Sequence, residues 1–114
     1  MVNSNLTPLE VIETLSTIGK DIDEQTDEIA RCDEAAVRAR VAYKKYYAEV
    51  FMRTEGSMDI RRYTADFSSS DHYLAQELAD QEHRAAVGQI RALRDRLEVG
   101  RSISALVRME WGNS

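Results

Sequence analysis

Apolar residues recur along the first half of the chain at alternating steps of three and four. They run Val11, Leu15, Ile18, Ile22, Gln25, Ile29, Cys32, Ala36, Ala39, Tyr43, Tyr46 and Val50. Only Gln25 is polar, and Cys32 counts as a small hydrophobe. A 3.5-residue period held this long marks one helix that buries a single seam against another helix. Its start is signalled by Thr7-Pro8-Leu9-Glu10, a capping box with proline at the first helical position. Its end is signalled by Glu55-Gly56-Ser57, with Gly56 as the cap and Ser57 as the N-cap of the next helix. The pattern predicts helices over 8–54 and 58–109, preceded by a flexible lead over 1–7 and followed by frayed residues 110–114.

The second helix has a less regular seam. Ile60, Tyr63, Phe67, Leu74, Leu78, Ala86, Ile90, Leu93 and Leu97 are its apolar positions. Ser68-Ser69-Ser70-Asp71 interrupts them with residues that favour caps over helix interiors, so a kink or register shift is expected there if the helix is not continuous. Gly100-Arg101-Ser102-Ile103-Ser104 is a second weak point. With a turn centred on Gly56, Tyr47 is expected opposite Ala65 and Phe51 opposite Arg61.

Charge sharpens this picture. Residues 1–35 carry a net of −7, 36–57 of +3, 58–83 of −4 and 84–114 of +3. Folding the chain back at Gly56 lays blocks of opposite sign side by side. The fold class read from the sequence is therefore all-α, a long antiparallel two-helix hairpin forming one domain over 8–109. A hairpin hides one stripe per helix, and 114 residues make a thin core. Apolar residues off the seam (Leu9, Ile12, Val37, Val41, Tyr47, Phe51, Val87, Ile103 and Leu106) then favour a homodimer closing a four-helix bundle. An antiparallel arrangement brings the −7 block of one copy to the +3 block of the other.

Composition narrows the function classes. A net charge of −5 speaks against general nucleic-acid binding, which is driven by phosphate neutralisation. One cysteine fits a reducing compartment. Residues 1–8 lack a basic signal-peptide start, and no run has the length of a membrane span. The expected location is the cytoplasm, with no membrane association. No phosphate loop, nucleophile elbow or zinc spacing is present. His72 and His83 lie about 16 Å apart on one straight helix, and Asp80-x-x-His83 lacks further ligands. The chain reads as non-enzymatic, without metal or cofactor.

Two surfaces are candidates for binding. Seven of the eight aromatics, Tyr43, Tyr46, Tyr47, Phe51, Tyr63, Phe67 and Tyr73, gather toward the turn. They suit a tip core, a dimer interface or a site for a protein partner, because aromatics supply contact area at low entropic cost. Arg91, Arg94, Arg101 and Arg108 form stripes on the last helix and offer the alternative of contact with single-stranded nucleic acid. Their simpler role is pairing with acids of the first helix, Asp21 with Arg91 for example.

The segment Tyr43-Lys44-Lys45-Tyr46 to Phe51, the turn Thr54-Glu55-Gly56-Ser57-Met58-Asp59-Ile60-Arg61-Arg62, and the closing Ser102-Ile103-Ser104-Ala105-Leu106-Val107-Arg108 resemble small helical proteins encoded by tailed phages of Gram-positive hosts. The resemblance covers residues 40–108. It implies an accessory or regulatory protein of a host-cytoplasmic phage stage that binds a host or phage protein. Some such proteins sit among replication and recombination genes, which is the context of the single-stranded DNA alternative.

Overall fold

The structure, a computed structural model, describes residues 6–112. They form three α-helices and no strand: α1 (Pro8–Arg53), α2 (Met58–Ser68) and α3 (Ser70–Gly112). The all-α expectation holds. The second expected helix is divided, and α3 continues to Gly112, three residues past the expected end. Residues 1–5 of the expected flexible lead, and residues 113 and 114 of the expected frayed end, lie outside the described residues.

The start and turn signals act as the sequence indicates. The Thr7 hydroxyl accepts a hydrogen bond from the Glu10 amide at 3.2 Å, and the Glu10 carboxylate accepts one from the Thr7 amide at 3.1 Å. Each satisfies a donor that the first helical turn leaves open. Gly56 has φ +119°, a conformation that L side chains rarely adopt, and Ser57 accepts from the Ile60 amide at 3.2 Å.

Ser69 alone separates α2 from α3. Its φ of −96° and ψ of 8° leave the helical region, yet the hydrogen-bond ladder passes through it. The Ser69 amide donates to the Ala65 carbonyl, and the Tyr73 amide donates to the Ser69 carbonyl. The Ser69 hydroxyl donates to the Ala65 carbonyl as well, while Ser70 donates to that of Phe67. Serine hydroxyls competing for backbone carbonyls are a known cause of a local bend. The Gly100–Ser104 stretch, by contrast, is uninterrupted helix.

Contacts gather into two compact units. The first joins residues up to Glu28 with those from Val87 onward, and the second is Ile29–Ala86. In the first unit, Val11, Ile90 and Val107 are buried. Leu15 lies so close to Gly100 that a Cβ there would meet its Cδ2 at 2.6 Å. Gly100 therefore serves a close helix–helix approach. Leu15 and Val11 share an apolar cleft with Gly100 and Ile103. In the second unit the buried residues are Cys32, Ala36, Val50, Ala65, Ser69 and Ala86.

The α1 seam falls where the period places it. In α3 from Ala86 onward the expected positions Ala86, Ile90, Leu93 and Leu97 are buried or half-buried. Between Ile60 and Leu78 the expected seam is corrected. Ile60, Tyr63, Phe67, Leu74 and Leu78 are exposed, with Phe67 at 85% and Tyr63 at 73%. The face turned inward carries Arg61, Thr64, Ala65, Ser69, His72, Gln76, Ala79 and His83.

Candidate functional site: the faces of the second unit

The inward face of α2 is built from small residues. Tyr43 and Tyr46 lie on the α1 seam in this unit, with Tyr47 half-buried beside it. Helix axes pack about 8–10 Å apart, so a close approach requires small side chains. Ala65 (0% exposed) and Ser69 (1%) supply them. A second row of large side chains would hold the helices apart.

The rings fall into a run of four and a separate pair. Tyr43 meets Tyr73 edge-on at 5.5 Å and Tyr47 at 6.3 Å, and Tyr47 stacks with Phe51 at 6.4 Å. Tyr46 stacks on His72 at 4.4 Å. These contacts correct the expected register. Tyr43 meets residue 73 rather than 69, one helical turn further along, so the pairings of Tyr47 with Ala65 and Phe51 with Arg61 do not describe the packing.

Polar partners line the same antiparallel interface. Arg40 lies 3.6 Å from Asp80, and His83 lies 3.9 Å from Asp33. Asp80 and His83 thus face α1 side chains. No group of three or more His, Cys, Asp or Glu suited to a metal ion occurs among the described residues. Tyr73 donates to the Glu77 carboxylate, whose charge holds the phenol above its ordinary range, with partial burial adding to the shift.

The seven aromatic candidates therefore separate. Tyr43, Tyr47 and Phe51 are half-buried in one run that ends on exposed Tyr73, and Tyr46 is half-buried on His72. Tyr63 and Phe67 stand on the outer face with Ile60, Leu74 and Leu78. The sequence reading assigned those three aliphatic residues to the seam and so missed them as surface. The available signal was an excess of apolar positions, too many for one buried stripe. α1 has a corresponding outer stripe of Val37, Val41 and Met52, the last 81% exposed. Both stripes are larger than the singly scattered apolar residues of an ordinary surface.

The arginine candidates all lie on α3 in the first unit and are exposed. Arg101 pairs with Glu98 at 3.0 Å on its own helix. Asp21, the expected neighbour of Arg91, lines a shallow groove with Arg96. Glu24 and Glu28 line the same groove, which surrounds Arg96 with acids. No helix among the described residues is long and apolar enough to cross a membrane.

Comparison with known proteins gives no match to a family model, a curated protein or a solved structure.

Proposed function

We propose that this chain is a non-enzymatic helical interaction module that works by binding protein surfaces, its own copies included, in the manner of a phage accessory or regulatory factor. The observation that carries this reading is the outward-facing stripe of Ile60, Tyr63, Phe67, Leu74 and Leu78. Leaving such side chains in water forfeits roughly 1.5–3 kcal/mol each relative to burial. A surface of this kind gains most by being covered, and aromatics with aliphatic neighbours are what the centres of protein interfaces use. The cytoplasm is the compartment proposed for it.

Capture from a host lysate, with wild-type protein beside Phe67→Glu, tests the reading. A protein retained by the wild type and released by Phe67→Glu at unchanged helicity supports it. Equal capture by both removes the outer face from the account. A gel shift with single-stranded DNA separates the nucleic-acid alternative: salt-sensitive binding that weakens on Arg94→Ala and Arg101→Ala would replace the protein-binding reading.

A further inference from the structure

The two outer stripes of the second unit differ in the charge that borders them. On α2 and the start of α3, Asp66, Asp71, Glu77 and Glu82 are exposed around Ile60, Phe67 and Leu74, while Asp59 is paired with Arg62 at 3.7 Å. On α1, Lys44 and Lys45 are exposed around Val37, Val41 and Met52, while Arg38 is paired with Glu34 at 2.8 Å. Over their blocks the sums are −4 for residues 58–83 and +3 for residues 36–57. Their lengths also match. At ~1.5 Å per residue, Val37 to Met52 spans about 22 Å, and Ile60 to Leu78 about 27 Å.

A two-fold contact sets a surface against itself. Pairing two acidic stripes would oppose like charges, and so would pairing two basic ones. Acidic against basic is the complementary combination. Each stripe lies on the side of its helix away from the α1 seam partner, so one copy offers the basic stripe on one flank and the acidic stripe on the other. We propose that the acidic apolar stripe of α2–α3 is a docking surface for a second copy of this chain, taken through the basic apolar stripe of its α1. This rests on the interaction-module reading and names the partner. The contact is heterologous. It leaves one stripe unused at each end of a pair, so copies add head to tail until a ring closes or a stack extends. It replaces the closed antiparallel dimer that the charge blocks alone favour.

Two variants test this by sedimentation equilibrium. Phe67→Lys with Leu74→Lys disables the acidic stripe, and Val41→Glu with Met52→Glu disables the basic one. Wild type is expected to exceed its 13.0 kDa chain mass increasingly with concentration, and less so at high salt. Each variant alone should remain at chain mass. An equimolar mixture should stop at twice that mass, because one intact stripe of each kind remains. An acidic-stripe variant that still dimerises, or a mixture that stays monomeric, overturns the proposal. So does loss of helicity in either variant, which would place these side chains in the core. Wild type monomeric at every concentration excludes the second copy as occupant, yet leaves the lysate capture to decide whether another protein binds the face.

Discussion

Tyr73 shows how one side chain carries both packing and titration. Its ring packs edge-on against Tyr43, while its hydroxyl donates to Glu77. The Glu77 charge opposes formation of a second anion, so the phenol is held above its ordinary value of 10.0. A group with a raised folded-state pKa stabilises the fold fully below its unfolded value. That contribution is lost as pH rises from there through the raised value. Stability linked to Tyr73 is thus constant across neutral pH and declines only in alkali. In a spectrophotometric titration, one of the five tyrosines is expected to ionise after the others. Glu77→Gln should bring it back toward them. A titration unchanged by Glu77→Gln would show that the carboxylate does not act on the phenol.

Among the helices, α1 was the most legible in the sequence. Its capping box, its period and its stop at Gly56 all act locally, and each leaves a residue-type signature. α2 and the start of α3 were not legible in the same way. The largest apolar residues there trace one clean stripe, and that stripe faces outward. What decides the inner face is the requirement for small side chains where α1 comes close, met by Ala65 (0% exposed) and Ser69 (1%). No property of α2 read alone contains that requirement. The serine run was a visible warning, and the break fell on Ser69. Glycines divide on the same principle of environment. Nothing lies within 4 Å of a Cβ added at Gly19 or Gly88, both helical, whereas Gly100 meets Leu15. Gly19→Ala and Gly88→Ala should each stabilise by roughly 0.5–1 kcal/mol in thermal or urea unfolding. Gly100→Ala should gain less, because the Leu15 side chain must move. Equal gains at all three would contradict the close approach at Gly100.

At the scale of the molecule, the balance between buried and exposed apolar groups carries the proposed interaction role. Among the described residues the buried hydrophobics are few and small: three valines, three alanines, one cysteine and one isoleucine. Larger side chains are exposed on α2, α3 and α1. The candidate site was half-legible for this reason. Ile60, Tyr63, Phe67, Leu74 and Leu78 were all read as seam, with Tyr63 and Phe67 also counted among the aromatic contact candidates, because apolar periodicity does not say which side is inside. The charge blocks were legible in full, since they depend on no side-chain orientation. They gain a direction only once the two outer stripes are located.

Ala65 is 0% exposed and Phe67 85%, so Ala65 and not Phe67 faces α1. Urea unfolding of Ala65→Leu tests it most directly. Ala65 is 0% exposed, so a leucine there must displace its neighbours. The account predicts a loss of about 1–3 kcal/mol, with helicity retained in the folded state. At a solvent-facing helical site the same substitution changes stability very little, because alanine and leucine have similar helix propensities. An Ala65→Leu variant as stable as the wild type, or more stable, would contradict the inward placement of Ala65 and with it the outward placement of the Ile60–Leu78 stripe.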